Sequence, residues 1–511
     1  MFFKRSLIFI VLFLVIITRF IGLNWGNGYF FHPDENNMAS AVSRLKPDNL
    51  DPDFYAYGQF PLYLSYFSLR LLSLPNTFSH AVLALRFYSA VFSAISVYIT
   101  FLLSRKIFSP NLVFYPVLLT IFNPGLIQMA HFGTTESLLI LVFLVNIFLA
   151  FKILDQPQKY SYYIFAGIIN GIGLATKISS LIFLGPIFLT TLINLIKHHQ
   201  FKASVLKLFI LAIFTIEIYL LASPYNFISQ TNFLSTMTYE TNVALGHTKV
   251  FYTTQFSQTT PYLFQIIHVF PYTSGIFQFF FAIFGFLILI KNWQLKNKTY
   301  SSWFLILFSS LIYFLYFGQL YVKWTRFVSP IFFLFPLLSV VFISLFENHK
   351  IRLLFLFLGC LPGIYFFYQL YFHPDIRLTV SLWLNKNIPA ESRVLSEGGN
   401  VIDIPLTNHS FPVTNYDFYQ YQPNTLIDEV VRANYIFVPS RRVFANYDYP
   451  YHRHLFNGSL GFKEIKTFII NPDIFLNSEN AEETWSVFDH PVIRIFRKEN
   501  QLDLSQYEKL I

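Results

Sequence analysis

The feature that most constrains this chain is a series of apolar runs, each close to the ~20 residues a helix needs to cross a hydrocarbon core. They fall at about residues 6–23, 81–103, 112–129, 137–153, 162–176, 179–196, 206–222, 275–290, 303–318, 327–346 and 353–372. Inside a bilayer the backbone must satisfy its own polar groups, so such runs become helices. They predict a polytopic α-helical membrane protein with about eleven spanning helices, the first of them uncleaved. A shorter, Pro-flanked run at residues 60–74 is expected to be interfacial or re-entrant. Only 12% of the residues are charged and 54% are hydrophobic, which is far too apolar for a soluble protein of 511 residues.

Basic residues sort the connections into two sides. One side receives Lys4, Arg5, Arg105, Lys106, Lys152, Lys159, Lys197, Lys202, Lys207, Lys291, Lys296, Lys298, Lys350 and Arg352. The other receives Arg44, Lys46, Lys177, Lys249, Lys323 and Arg326. The richer side is cytoplasmic. The N-terminus is then expected in the cytoplasm and the long connections 24–80 and 223–271 outside. The odd span count carries the C-terminal region outside as well. The net charge of +9 reflects this asymmetry. No stretch interleaves basic and aromatic residues in the manner of a nucleic-acid surface. The single cysteine, Cys360, excludes an internal disulfide and a cysteine zinc site.

From residue 373 the apolar runs shorten and turn residues appear. Helical patterns at 378–387 and 426–433 alternate with strand patterns at 393–396, 435–439, 465–470, 485–488 and 492–496. The chain therefore divides into a membrane domain, 1–372, and a small extracytoplasmic α/β domain, 373–511. The latter shows no nucleophile–base or metal-ligand spacing and is expected to do no chemistry. Its Arg441-Arg442 pair reads as a solvated turn.

The chemistry concentrates at residues 29–63, which hold five carboxylates: Asp34, Glu35, Asp48, Asp51 and Asp53. His32-Pro33-Asp34-Glu35 opens a helix, with Pro33 in the first turn and acids placed to complement the helix dipole. On spacing alone this is a helix cap at a membrane surface. The same placement favours the ionised carboxylate, which lets Asp34 accept a proton.

Several short motifs follow in order. Leu50-Asp51-Pro52-Asp53-Phe54 and Phe60-Pro61-Leu62-Tyr63 complete the first loop. Thr135-Glu136, Gly173-Leu174-Ala175-Thr176-Lys177 and Arg326-Phe327-Val328-Ser329-Pro330 come later, and Trp485-Ser486-Val487-Phe488-Asp489-His490-Pro491 lies near the end. In this order and spacing the set resembles the GT-C glycosyltransferases. The nearest likeness is to the dolichyl-phosphate-mannose protein mannosyltransferase and lipid A aminoarabinose transferase superfamily.

The resemblance implies a GT-C fold in the plasma (inner) membrane. It implies inverting transfer of a sugar from a polyprenyl-phosphate donor to a lipid, glycan or protein acceptor at the outer face. Asp34 matches the family's catalytic aspartate. Glu35, about 100° around the helix, takes a supporting catalytic role, orienting the acceptor or pairing with a cation. The leaving phosphate gains negative charge, which fixed cations offset. Arg326 is the first candidate, because it can fork two donors to phosphate, followed by Lys177, Lys323 and His32. As bare residues, Arg326 and Lys177 also suit snorkelling anchors. Gln59 stands where some relatives carry a lysine, and Glu136 where relatives often carry an aspartate. Glu136 could flank the site with Asp34, and whether a divalent cation takes part is left open. Asp53, Tyr63 and His247 complete the candidates, His247 sharing its loop with Glu240. A transporter or flippase of lipid-linked sugars is the alternative; it predicts repeated halves and ionisable residues near the midplane.

Overall fold

The computed structural model describes residues 2–292, 298–398, 404–406, 409–438 and 450–511; the Arg441-Arg442 pair and Lys296 lie outside them. The membrane portion begins with helices α1 (Phe2–Phe20), α2 (Pro33–Arg44), α3 (Phe60–Leu71), α4 (Phe78–Ile107) and α5 (Phe114–Ile121). It continues with α6 (Pro124–His131), α7 (Glu136–Asp155), α8 (Ser161–Leu174), α9 (Gly185–His198) and α10 (Phe201–Ala222). Further helices run over Gln230–Leu245, Ile276–Lys291, Lys298–Gly318, Leu334–Ile343 and His349–Tyr371.

The expected eleven continuous spans are not what forms. Among the described residues six helices are long and apolar enough to cross a bilayer, or eight if two bent pairs each count as one span. The segments at 8–20 and 161–174 are apolar but shorter. The breaks have local causes. The 112–129 run splits into α5 and α6 at Asn123-Pro124, where Pro lacks the N–H a continuous helix needs. The Asn123 side chain accepts from Leu126 N at 3.0 Å and starts a new helix instead. Gly275, at φ +74°, turns the chain by 116° between the helix ending at Ser274 and Ile276–Lys291. A 3-10 turn, Thr325–Ile331, meets Leu334–Ile343 at 52°.

Arg19 shows how such a break is satisfied. It is fully buried near the end of α1. Its guanidinium donates to Ser93 Oγ at 2.9 Å and to the carbonyls of Thr120 and Ile121, each at 3.0 Å. Those carbonyls close α5 and have lost their helical partners at the Asn123-Pro124 break.

The first loop folds as α2 and α3. The 60–74 run is a twelve-residue helix, too short to span, as its length suggested. Gly58 N donates to Thr176 O at 2.9 Å and Phe60 N to Ala175 O at 3.0 Å, which ties the start of α3 to the end of α8. A Cβ on Gly58 would stand 2.0 Å from Ala175 O, so only glycine permits this approach.

The C-terminal region carries a five-stranded sheet of order β2-β1-β3-β5-β4. Its strands are β1 (Val394–Gly398), β2 (Val413–Asp417), β3 (Tyr435–Val438), β4 (Phe462–Phe468) and β5 (Ile493–Lys498). β1 pairs in parallel with β2 and β3, while β5 runs antiparallel to β3 and β4. Helices Ile376–Asn387 and Pro423–Arg432 form where expected. The predicted strand at 485–488 does not: this stretch is the end of a short helical turn, Glu483–Ser486, and the bend after it. Trp485, Val487 and Phe488 are buried there with Trp25, Phe31, Phe132 and Phe366 of the membrane portion, so their apolar pattern serves that contact and not a sheet face.

Candidate active site

Asp34 occupies the first turn of α2. His32 precedes the helix in extended conformation and its Nδ1 accepts from Asp34 N at 3.2 Å. Pro33 fills the position whose N–H would have no helical partner. The Asp34 carboxylate forms an ion pair with Arg326, the second residue of the 3-10 turn, and both side chains retain partial access to solvent. Arg326 lies over the Trp324 ring, 4.6 Å from its centroid, and 5.9 Å from the Phe327 centroid. Lys177 approaches the same Phe327 ring at 4.9 Å and the Tyr57 ring at 5.2 Å. Lys177 and Arg326 thus share the Phe327 ring, Asp34 joins them through Arg326, and Tyr57 joins them through Lys177.

Burial holds the Lys177 ammonium below the usual lysine range, opposed by the nearby carboxylates of Glu136 and Glu240. The Glu240 carboxyl is raised by desolvation and drawn back down by Lys177. Glu136, buried at the start of α7, accepts from the Thr135 hydroxyl at 3.2 Å and lies within electrostatic reach of Lys177. His247 is exposed beyond Gly246, the left-handed cap of helix Gln230–Leu245.

Glu35 is placed differently from the acceptor-orienting role. It is fully buried and its two oxygens accept from Arg86 Nε at 2.9 Å and Nη2 at 2.7 Å. Gly133 N donates to the same carboxylate at 2.6 Å. Of its two expected roles, pairing with a cation is the one the geometry realises; an enclosed carboxylate cannot touch an acceptor. Arg86 also donates to the Leu23 and Trp25 carbonyls and lies 4.3 Å from the Trp25 ring centroid.

Gln59 is likewise enclosed. Its amide donates to Asn226 Oδ1 at 3.2 Å, and its carbonyl accepts from Tyr225 N at 3.0 Å, so it anchors α3 to the connection 223–271. Tyr63, one turn on, donates to Leu50 O at 2.9 Å. Asp53 is exposed, at φ +48°, in a turn closed by its N–H to Asp51 Oδ1. The Lys323 ammonium donates to Tyr321 O at 2.8 Å, and burial lowers it to about 8. Asp34 and Glu35 each face a guanidinium. Among the described residues no group of three or more His, Cys, Asp or Glu side chains is gathered to hold a metal ion.

Beside the site an apolar groove of about 510 Å³ opens sideways between α3, α8 and α10, lined by Phe60, Tyr63, Phe67, Ile172 and Leu221. Phe60 in its lining opens α3, whose start is bonded to Ala175 and Thr176.

Residues 70–222 match the family described as dolichyl-phosphate-mannose-protein mannosyltransferase. No curated protein matches the chain. Among solved structures the chain is similar to ArnT from Cupriavidus metallidurans in the apo state. The identity is 10% and the TM-score 0.50, over 96% of this chain and 98% of that one. It is also similar to the Archaeoglobus fulgidus oligosaccharyltransferase in the apo form. There the identity is 13% and the TM-score 0.49, over 85% of this chain and 69% of that one. The first likeness runs through nearly the whole of both chains and shows that the two share a fold.

Proposed function

We propose that this protein is an inverting glycosyltransferase that moves a sugar from a polyprenyl-phosphate donor to a lipid, glycan or protein acceptor at the outer face of the plasma membrane. The observation that carries the reading is the Asp34–Arg326 ion pair at the start of α2, with Lys177 and Arg326 both against the Phe327 ring. The mannosyltransferase match over residues 70–222 supports it. The groove has the chemistry to take a prenyl chain. Arg326 and Lys177, both against Phe327, suit the phosphate, and the Asp34 carboxylate beside Arg326 suits a base.

In the reaction the acceptor attacks the anomeric carbon from the face opposite the phosphate. Asp34 takes the acceptor proton as the new bond forms. The bond from carbon to phosphate oxygen breaks, and the polyprenyl phosphate leaves with its extra negative charge. Arg326 and Lys177 stabilise that charge as it develops. Without donor, Arg326 is held by Asp34. The arriving phosphate competes for the guanidinium, so donor binding frees the base for the acceptor. Glu35 and Arg86 fix α2 against α4 and keep the base at its station.

The test is incubation of purified protein with a panel of polyprenyl-phosphate sugars and acceptor membranes, with Asp34→Asn as the control. Mass spectrometry of envelope glycans and lipid-linked sugars, with and without the protein, identifies the product. Transfer that survives unchanged in Asp34→Asn overturns the assignment of the base, and no transfer from any donor overturns the reaction.

A further inference from the structure

We propose that residues 482–490 are a positioning strap by which the C-terminal region holds both members of the Asp34–Arg326 pair in register. The proposal rests on the glycosyltransferase reading for its kinetic consequence, but the contacts themselves stand apart from it.

One end of the strap holds the Arg326 wall. Glu482 is fully buried, and its Oε2 accepts from Thr325 N at 2.9 Å, one residue before Arg326. Its Oε1 accepts from Gln255 Nε2 at 2.9 Å, and its own N–H donates to His268 O at 2.7 Å. A buried carboxylate on the first N–H of a turn is a charge-assisted bond that fixes where the turn begins.

The other end holds the Asp34 wall. The Phe488 ring lies 4.2 Å from the ring of His32, whose Nδ1 accepts from Asp34 N. The main chain behind Phe488 is itself fixed. Arg377 donates to the Val487 and Phe488 carbonyls, each at 2.8 Å, and lies 4.0 Å over the Phe31 ring. Gln128 of α6 donates to Trp485 O at 2.7 Å. One short helical turn, Glu483–Ser486, joins the two ends, so the strap sets the separation between Thr325 and His32. Neither Glu482 nor Phe488 reaches the reacting atoms; both are positioning residues.

The test uses full-length Phe488→Leu, Phe488→Tyr and Glu482→Gln, with turnover and donor affinity measured separately on folded protein. A polyprenyl-phosphate mannose of short chain serves as donor probe. A displacement of about 1 Å at a base costs on the order of 10²-fold in rate. Phe488→Leu, at the base end, is therefore expected to lower kcat about 10- to 100-fold while donor affinity stays within about twofold, whereas Glu482→Gln, at the Arg326 end, lowers donor affinity together with kcat. Phe488→Tyr, which keeps the ring, recovers most of the rate. In an Asp34→Asn background Phe488→Leu adds no further loss, because both act through one group. A lowered melting temperature with unchanged kcat, or a full multiplicative loss on top of Asp34→Asn, overturns the strap. A second arm needs no turnover. His32 is nearly buried, and its modification by diethyl pyrocarbonate, read by peptide mass spectrometry, rises in Phe488→Leu. Unchanged His32 labelling overturns the contact. Increased labelling in a protein that transfers no sugar keeps the contact and removes the reaction.

Discussion

Asp34 and Glu35 are adjacent carboxylates with opposite surroundings. Asp34→Asn keeps size and hydrogen bonding but cannot take a proton, so transfer should fall about 10²–10⁴-fold with donor binding retained. Glu35→Gln leaves Arg86 buried without its counter-charge. Breaking such a pair costs roughly 3–5 kcal/mol, so its signature is a lowered melting temperature in detergent, not a selective loss of chemistry. Arg326→Ala should lose about 2–4 kcal/mol of transition-state stabilisation, read from kcat/KM, with Arg326→Lys recovering part of it. Lys323 supplies a pH dependence. Its folded value of about 8 lies below the ordinary lysine value, so between those two values the unfolded chain binds more protons. Stability then rises with pH across that window. The stability gained by Lys323→Met should be largest below pH 8 and shrink towards pH 10 in thermal melts. The position of Asp34 was legible from His32-Pro33 and the helix dipole. Its partner was not, because nothing in the spacing of Arg326-Phe327-Val328-Ser329-Pro330 tells an arginine that meets phosphate from one that meets a carboxylate. Arg86 carries a signal of its own: an arginine inside an apolar run demands a partner.

The elements are joined by close approaches that apolar periodicity does not encode. Gly58 is the clearest, with the α8 end running past its missing Cβ. Gly58→Ala should push α3 away from Ala175, cost about 1–3 kcal/mol as overpacking does, and weaken donor affinity through Lys177. Binding of a short-chain polyprenyl phosphate to the purified variant measures this. Periodicity located the apolar runs well but treated each as one straight span, whereas Asn123-Pro124 and Gly275 break theirs. Four of the five predicted strands formed. β2 was missed because Val413–Asp417 is mostly exposed and polar in sequence. Residues 485–488 were misread because a short apolar stretch can be a strand or a buried bend, and only its partners decide.

At the scale of the molecule, the orientation rests on the distribution of Lys and Arg. In a Cys360→Ala background, cysteines at Asp48 and Ser459 should react with an impermeant thiol reagent in intact cells, and one at Lys350 should not. The reverse pattern would place Asp34 on the cytoplasmic side. The division between membrane helices and sheet region was visible as a change of composition, but the packing of Trp485 and Phe488 into the helices was not, since it joins residues hundreds of positions apart. Arg19 extends this to biogenesis. The carbonyls that satisfy it belong to residues 101 and 102 positions later in the chain. At a synthesis rate of about 5–20 residues per second, α1 must wait roughly 5–20 s for them. Until then the guanidinium's local partners are the carbonyl and hydroxyl of Thr18 alone, which leave most of its donors unmet, so α1 should lodge first nearer the water interface. It would slide to its final depth only when α5 arrives.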